Sequence, residues 1–247
     1  MSTNALYADL SIYYDLMCTD IDYSAQSHCI QRLHQIFGNQ KKQHLDLACG
    51  TGAHIRYFLN QAYISTGLDL HPAMLAQAQV RCPEADFILQ DMSDFNIGTH
   101  FDLITCFLYS LHYNQGIEKL RTCFDSIYNA LNPGGIFCFN WVDKYKINNK
   151  HFVKHHLTYE NALFTFCSRW YYSGQGEMQA LRLSIEKAHP DHTYLWQDEH
   201  PMVAMGIQEL NDFLQPHFEV HLFEHDYDKI VPWDQVSGNA IFVCIKS

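Results

Sequence analysis

Basic residues are scarce in this chain of 247 residues, which has 16 Lys and Arg against 27 Asp and Glu and a formal net charge of −11. Binding to nucleic acid requires a positive face, so this composition argues against a nucleic-acid partner. Long apolar runs are also missing, and none approaches the roughly 18 residues of a membrane-spanning helix. The N-terminus lacks the basic stretch and apolar run of a secretory signal. We therefore expect a cytoplasmic protein with no membrane partner.

Motifs for disulfides and metals are missing as well. The nine cysteines are odd in number and scattered, no Cys-x-x-Cys pair occurs, and most lie in apolar runs such as "LITCFL" and "IFCFN". This pattern predicts buried, reduced thiols. Among the sixteen histidines the nearest clusters are His155-His156 and the run His217, His221 and His225, and the run lies in "HFEVHLFEHDY", which alternates like a strand. We therefore predict no metal site.

What is present in the first 140 residues is a regular alternation of strand and helix signals. The strand-like runs are "HLDLA", "YISTGLDL", "ADFILQ", "FDLITCFL" and "IFCFNW", and helical patterns separate most of them. Strands that alternate with helices form parallel sheets, so the pattern predicts a doubly wound α/β fold. The turn signal "NPGG" is expected to separate the helix before it from the fifth strand.

From about residue 145 the pattern changes. "ALFTFCSRWYYSG", "MQALRLSIEKA" and "TYLWQDEHPM" predict three antiparallel strands with no helix between them, after which a helix and two strands follow. We predict a single domain over 1–247. It comprises an N-terminal lid and helices (1–40), a cofactor-binding half (41–144), a β insertion (145–205), and a last helix with two strands (206–247).

The segment "LDLACGTGAH", residues 45–54, is the first functional signal. Ligands of doubly wound sheets bind at the carboxyl ends of the strands, and Gly50 and Gly52 allow a tight turn and a close approach there. A dinucleotide site would require a third glycine where this chain has Ile55. Asp46, within the strand, is poorly placed for a pyrophosphate but suits a cationic amine such as that of S-adenosylmethionine.

Two further acids follow at the ends of the next strands. Asp69 in "GLDLHPAML" is expected to accept hydrogen bonds from ribose hydroxyls. Asp91 in "LQDMSDF" can meet the exocyclic amine of adenine, with Met92 packed on the ring. Each aspartate alone could be a helix cap. Three of them at consecutive strand ends after a glycine turn favour an S-adenosylmethionine site.

Together these motifs resemble those of the class I S-adenosylmethionine-dependent methyltransferases. "LDLACGTG", "GLDLHPAMLAQAQ", "LQDMSDF", "FDLITC" and "ALNPGGIF" are similar to successive motifs of that family over residues 43–142. His71 departs from the Ser or Thr usual at its position. The resemblance implies S-adenosylmethionine as cofactor and a Rossmann-like, mostly parallel sheet of seven strands that ends in an antiparallel pair. The cofactor-binding residues that it implies are Tyr14, Tyr23, Asp46, Ala48, Cys49, Gly50, Gly52, Asp69, Leu70, Met74, Asp91, Met92 and Phe107.

Methyl transfer also requires a lid that excludes water and, for some acceptors, a base. The lid candidates are Tyr13, Tyr14 and Tyr23 in "SIYYDLMCTDIDY", and Tyr14 is also a candidate catalytic residue. After the fourth strand, in "CFLYSLHYN", Phe107 and Leu108 are expected to line the cofactor pocket. Tyr109, His112 and Tyr113 are expected to face the acceptor, with His112 as the catalytic base. A structural, hydrogen-bonded His112 is the alternative.

Within this family the motifs are most similar to those of the amino-deoxysugar N,N-dimethyltransferases. That resemblance implies a small-molecule acceptor, an amine such as a nucleotide-linked amino sugar, and a β insertion that forms a substrate roof and the contact of a homodimer. The segment "YSLHY" departs from the small Ser and Gly residues usual in the subfamily. Four lysines after the fifth strand are either a diphosphate site or a solvated run: Lys144, Lys146, Lys150 and Lys154.

Three other functions compete with this hypothesis. One is methyl transfer to a hydroxyl of a small molecule. Another is a non-catalytic subunit that keeps the cofactor site, against which the intact acids and glycines argue. The third, an NAD-dependent oxidoreductase, is disfavoured by the missing third glycine.

Overall fold

The computed structural model describes residues 5–7 and 10–247, so residues 1–4, 8 and 9 of the predicted N-terminal lid lie outside the described residues. The helices are α1 (Tyr14–Met17), α2 (Tyr23–Phe37), α3 (Ala53–Asn60), α4 (Pro72–Arg81), α5 (Ile117–Ala130) and α6 (Ile207–Leu214). The strands are β1 (Gln43–Leu47), β2 (Ile64–Asp69), β3 (Asp86–Leu89), β4 (Phe101–Cys106), β5 (Leu131–Val142), β6 (Val153–Tyr159), β7 (Ala162–Tyr172), β8 (Met178–Ala188), β9 (Thr193–Val203), β10 (Glu219–Glu224) and β11 (Asn239–Ile245).

The larger sheet has seven strands in the order β10-β11-β5-β4-β1-β2-β3. Its pairings are parallel from β3 to β5, and β11 is antiparallel to both of its neighbours. All six residues of β4 are buried, as expected for a central strand covered by helices on both faces. The predicted fold class is therefore confirmed. Strand order reverses between β1 and β4, and this switch point is where a ligand is expected.

The "NPGG" segment differs from its prediction. It lies inside β5, because Leu131 already pairs with Phe101 before the register shifts and Ile136 pairs with Leu103. Gly134 has the left-handed φ of +71°, and its N–H donates to the Lys246 carbonyl. The glycines thus form an irregularity within the strand and not a turn that precedes it.

The insertion contains four antiparallel strands, in the order β6-β7-β8-β9, where the sequence predicts three. The strand missed is β6, which lies at the edge of its sheet and is mostly exposed. An edge strand has few buried positions, so its sequence lacks the alternation by which strands are recognised. The four strands fall within the predicted insertion, 145–205.

One face of the insertion packs against the N-terminal segment. Phe164 and Phe166 are buried there with Leu6, and the partly buried Tyr13 and Tyr14 pack against this cluster. The segment is therefore held between the insertion and the carboxyl edge of the larger sheet. The nine thiols are free, and all but that of Cys167 are buried.

Candidate active site

The turn after β1 brings the backbone close to the switch point. Ala48, Gly50 and Gly52 have φ values of +52°, +55° and +80°, in the left-handed region that favours glycine. A Cβ on Gly50 would lie 3.8 Å from Cε1 of Tyr14, and one on Gly52 would lie 3.2 Å from Cβ of Ala78. Gly50 therefore permits a close approach beneath the tyrosine, whereas Gly52 permits close packing of helix α4.

Asp69, at the end of β2, holds this turn in place. Its Oδ2 accepts from the N–H of Gly50 at 2.9 Å, and its Oδ1 accepts from the N–H of His71 at 2.9 Å. The side chain is buried, with 6% of the residue exposed. The carboxylate is thus fixed between the glycine turn and the start of α4, where it can still accept bonds from a ligand through its remaining lone pairs.

A cavity of about 250 Å³ opens at this edge of the sheet. Each of three consecutive strand ends contributes to it: the β1 turn, the end of β2 and the segment after β3. The sequence-predicted residues that line it are Tyr14, Ala48, Gly50, Asp69, Leu70, Met74, Asp91, Met92, Leu108 and Tyr113.

A smaller pocket of about 20 Å³ adjoins the glycine turn on the other side, and Tyr14 and Ala48 line both spaces. The other sequence-predicted residues that line it are Tyr23, Asp46, Cys49, Phe107 and Leu108. The structure therefore brings together all the predicted cofactor residues except Gly52, which lines neither space.

Asp46 is the most strongly perturbed acid of the site. Only 2% of the residue is exposed, and Thr105 Oγ1 donates to its Oδ1 at 2.6 Å. Burial raises the pKa of the carboxyl to about 7, although the Thr105 bond acts in the opposite direction. A buried carboxylate of this kind gains a great deal from a cationic ligand.

Sequence reasoning missed His54, which lines the smaller pocket from the first turn of α3. Its Nδ1 lies 2.9 Å from Ser27 Oγ, and its buried Nε2 has no hydrogen-bond partner among the described residues. Burial lowers the pKa of the imidazole to about 4, so the ring is neutral near pH 7. Because Ser27 donates to Nδ1, the Nε2–H of His54 is an available donor. The position of His54 directly after the glycine turn is the sequence signal that could have identified it.

Sequence reasoning also missed the ion pair that fastens the N-terminal segment. Arg81 in α4 pairs with Asp15 in α1 and donates to Oγ1 of Thr51 at 2.6 Å. Thr51 Oγ1 in turn donates to Asp15 at 2.7 Å. These bonds tie the segment that carries Tyr14 to the glycine turn.

The structure places His112, the predicted base, in the core and away from both spaces. It is fully buried, and its ring stacks on Trp141 with 3.6 Å between centroids. The N–H of Val142 donates to Nε2, so Nδ1 carries the proton and donates to the Val203 carbonyl at 2.9 Å. Burial lowers the pKa of the ring to about 3. Both nitrogens are engaged by backbone groups, and the structural alternative fits this geometry.

The predicted tyrosines lie in different places. Tyr13 packs on Phe164 of the insertion and borders neither space. Tyr113 lines the larger cavity, and its hydroxyl lies 2.6 Å from both Tyr7 Oη and His200 Nδ1. Tyr109 lies beyond the cavity wall, next to His225.

Other candidate sites receive less support. Lys144 of the lysine run is ion-paired with Glu209 at 2.8 Å, which leaves it poorly available for a diphosphate. Among the residues that the structure describes, no group of three His, Cys, Asp or Glu side chains could hold a metal ion. No helix in the described ranges is long and apolar enough to span a membrane.

Comparisons with known proteins show what the segment that carries these motifs is similar to. A family model described as a methyltransferase domain matches residues 45–135. The dTDP-4-amino-2,3,4,6-tetradeoxy-D-glucose N,N-dimethyltransferase of Saccharopolyspora spinosa is 33% identical over 115 residues, covering 47% of this chain and 46% of that protein. The dTDP-3-amino-3,4,6-trideoxy-alpha-D-glucopyranose N,N-dimethyltransferase of Streptomyces venezuelae is also 33% identical over 115 residues, covering 47% of this chain and 48% of that one. The matched stretch thus spans less than half the length of either relative.

Solved structures resemble the fold over nearly its full length. DesVI of Streptomyces venezuelae superposes with a TM-score of 0.83 at 22% identity, covering 97% of this chain and 99% of that one. The sugar N-methyltransferase KedS8 of Streptoalloteichus gives 0.81 at 20% identity, covering 96% and 92%. The chain therefore contains a methyltransferase domain over residues 45–135 and has the fold of S-adenosylmethionine-dependent methyltransferases, as its motifs predict.

Proposed function

We propose that this protein transfers a methyl group from S-adenosylmethionine to a small-molecule acceptor. One observation carries the proposal: Asp46 in β1, Asp69 in β2 and Asp91 just after β3 line adjoining spaces around the glycine turn. The order of the three acids along the chain matches the order of the amine, ribose and adenine along the cofactor. The methyltransferase domain match over residues 45–135 supports the same conclusion.

The residues present fit the cofactor. Asp46 would hold the ammonium of its methionine part, and the unpartnered Nε2 of His54 suits the neighbouring carboxylate. Asp69 would accept from the ribose hydroxyls, while Asp91 and Met92 would receive adenine. Tyr14, Tyr23, Cys49 and Phe107 would enclose the methionine end, with Ala48, Leu70 and Met74 as apolar walls. When bound, the cofactor supplies a methyl group carried on its sulfonium sulfur. After transfer of this methyl group, the rest of the cofactor is a neutral thioether.

The acceptor that we propose is an amine, such as that of a nucleotide-linked amino sugar. The support is the names of the two relatives, both of which are N,N-dimethyltransferases of dTDP-linked amino sugars. Tyr14 remains the proposed catalytic tyrosine, because it borders both spaces and burial raises its pKa, which keeps the phenol protonated. Its hydroxyl would orient the acceptor. A substrate roof formed by the insertion, a homodimer and a cytoplasmic location remain predictions.

The experiment is methyl transfer from labelled S-adenosylmethionine to dTDP-3-amino-3,4,6-trideoxy-alpha-D-glucopyranose, the sugar in the name of the Streptomyces venezuelae relative, with the product read by mass. We expect a gain of one or two methyl groups, lost in Asp69→Ala. Asp86→Ala, at the opposite end of β3 and exposed, is the matched control. Cofactor binding without product on this sugar would contradict the proposed acceptor, and no cofactor binding would contradict the proposed activity.

A further inference from the structure

A chain of hydrogen bonds leads from the larger cavity into the insertion. Tyr7 and Tyr113 line the cavity, and their hydroxyl oxygens lie 2.6 Å apart. Tyr113 Oη also lies 2.6 Å from Nδ1 of His200 in β9. The other nitrogen of this ring, Nε2, lies 3.1 Å from Oδ2 of Asp198, two residues earlier on the same face of the strand. The chain thus connects a group at the cavity wall to a carboxylate of the insertion.

The carboxylate of Asp198 determines the direction of each bond in this chain. An imidazole nitrogen that faces a carboxylate oxygen at 3.1 Å has to carry a proton, so Nε2 of His200 is the donor and Nδ1 is the acceptor. The Tyr113 hydroxyl therefore donates to Nδ1, and Tyr113 Oη accepts from the hydroxyl of Tyr7. Tyr7 Oη is left with lone pairs for the cavity. This wall of the cavity offers a hydrogen-bond acceptor, which suits a ligand with N–H groups.

The cavity end of the chain lies beside the boundary between the two spaces. Asp46 in the smaller pocket and Asp69 in the larger cavity would hold the amine and the ribose of the cofactor, and its sulfonium connects these two parts. The residues that line both spaces are Tyr14, Ala48, Leu108 and Ser110. The ring of Tyr7 lies 5.9 Å from that of Tyr14, and Tyr113 ends the short helical turn that Ser110 begins. An acceptor at this boundary is therefore next to both hydroxyls.

The other end of the chain reaches water. His200 is fully buried, but 18% of the Asp198 side chain is exposed. Burial raises the pKa of the Tyr7 and Tyr113 phenols, so both stay protonated near neutral pH. Burial also lowers the pKa of His200, although Asp198 acts in the opposite direction. The imidazole is thus neutral near pH 7, and its Nδ1 faces a hydroxyl whose proton can move onto it.

We propose that Tyr7, Tyr113 and His200 form a relay that takes the proton from the acceptor amine, with Asp198 positioning the imidazole. The inference rests on the proposed function. An alkylammonium has no lone pair for attack, so an N–H bond has to break first. Its proton passes to Tyr7 Oη as the proton of Tyr7 passes to Tyr113 and that of Tyr113 passes to Nδ1. The amine keeps the electron pair with which it takes the methyl group, and the imidazolium returns a proton to water through Asp198.

The first test observes the histidine in the ligand-free protein. With ¹⁵N-labelled histidine, the ring resonances of His200 are assigned by their loss in His200→Gln. At pH 7 we expect Nε2 at the protonated position and Nδ1 at the unprotonated one, because Asp198 faces Nε2. A proton on Nδ1 would contradict the direction of the chain and overturn the inference.

The same resonances are then followed with saturating S-adenosylhomocysteine as dTDP-3-amino-3,4,6-trideoxy-alpha-D-glucopyranose or glucosamine is added. We expect Nδ1 to move towards the protonated position with at least one of these amines. Tyr113→Phe keeps the ring but breaks the chain, so the movement should disappear in this variant. An Nδ1 resonance that neither amine moves, or a movement that persists in Tyr113→Phe, would overturn this inference alone. Failure to bind S-adenosylhomocysteine would overturn the proposed function and the inference with it.

The second test is a pH profile of kcat. In Tyr113→Phe we expect a loss of roughly a hundredfold at pH 6.5, a typical contribution of a general base, and recovery of most of it at pH 9.5, where the amine is already deprotonated. His200→Gln should give the same profile. Tyr194→Phe, at an exposed position of the strand that carries His200, is the matched control. A loss that is equal at both pH values would contradict proton transfer.

The ionisable groups around His200 come from four parts of the chain. They are Tyr7 from the N-terminal segment, His71 after β2, Tyr113 after β4 and Asp198 from β9 itself. The residue opposite His200 in β8 is Leu181, which does not ionise. Because Tyr7 and Tyr113 stay protonated through this range, a change of profile that both Tyr113→Phe and His200→Gln produce reports on the relay.

Discussion

Asp46 shows how its surroundings set the behaviour of one carboxyl of the site. It is buried beside Thr105 with its pKa raised to about 7, so near neutral pH part of the population holds a proton. Asp69, one strand away, is instead held by two backbone N–H groups. The sequence identifies both acids, but it does not indicate that the first has a single side-chain donor and the second has two backbone donors.

A pH dependence of cofactor binding follows from Asp46. The ammonium of the ligand favours the carboxylate, so binding expels the proton and the affinity should rise from pH 6 to 8 and level off above the pKa. Asp46→Asn should weaken binding roughly tenfold or more and flatten the profile, since a hydrogen bond to a charged group contributes about 1.5–3 kcal/mol. Titration calorimetry with S-adenosylhomocysteine measures both. Equal affinity at pH 6 and 8 would contradict the role of Asp46.

His112 leads to a prediction about stability. Its nitrogens satisfy the Val142 N–H and the Val203 carbonyl, so His112→Phe should lower the free energy of unfolding by about 1–3 kcal/mol per buried group left unpaired. Urea unfolding measures the loss, and the exposed His100→Gln should be neutral. A folded, fully stable His112→Phe that cannot transfer a methyl group would instead restore His112 as a catalytic residue.

Whether a histidine faces a cavity or the core cannot be read from local sequence. The partners of His112, Trp141 and Val203, lie 29 and 91 residues further along the chain. The cofactor acids could be predicted because a single rule, that ligands bind at the carboxyl ends of parallel strands, places all three at once. His54 directly follows the glycine turn, but no such rule assigns a histidine at that position to the site.

At the scale of elements, the N-terminal segment and the insertion depend on each other. Phe164 in β7 is fully buried against the segment that carries Tyr13 and Tyr14, whereas Leu163, its neighbour in the same strand, is 48% exposed. The alternation of β7, β8 and β9 made them predictable. The edge strand β6 and the irregular start of β5 were missed because pairing partners, and not local pattern, define them.

This dependence predicts that damage to the insertion loosens the cofactor site. Phe164→Ala should destabilise the protein by about 3–5 kcal/mol, as expected for a buried aromatic side chain. It should also speed the release of S-adenosylhomocysteine, because Tyr14 lies over the glycine turn. Leu163→Ala is the matched control on the opposite face. Unfolding in urea and stopped-flow release measure the two effects, and unchanged release from a destabilised Phe164→Ala would contradict the coupling.

Across the whole molecule, buried histidines connect stability to pH. His34, His54 and His112 have pKa values lowered to about 4, 4 and 3 by burial, and the pKa of His44 is also well below its usual value. Each stays neutral in the folded chain and takes a proton in the unfolded chain below pH 6.5. Their contribution to stability is therefore complete above pH 6.5 and lost as the pH falls.

The raised pKa of Asp46 acts in the opposite direction and offsets one of these four protons. The free energy of unfolding should therefore fall by at least about 4 kcal/mol per pH unit near pH 5, at about 1.4 kcal/mol for each proton, and the lowered pKa values of His200 and His225 act in the same direction. Urea midpoints between pH 7.5 and 5 measure the slope. His34→Gln should reduce the slope by the contribution of one proton, about 1.4 kcal/mol per pH unit. The exposed His100→Gln should leave the slope unchanged. A slope near zero would contradict the neutral state of these histidines.

Calorimetric titration with S-adenosylmethionine tests most directly whether the edge of the sheet formed by β1, β2 and β3 binds this cofactor. We predict one site per chain in the wild type, an affinity lower by roughly tenfold to a hundredfold in Asp69→Ala, and no change in Asp86→Ala. Wild-type protein that binds no cofactor, or equal binding by the wild type and Asp69→Ala, would contradict the account.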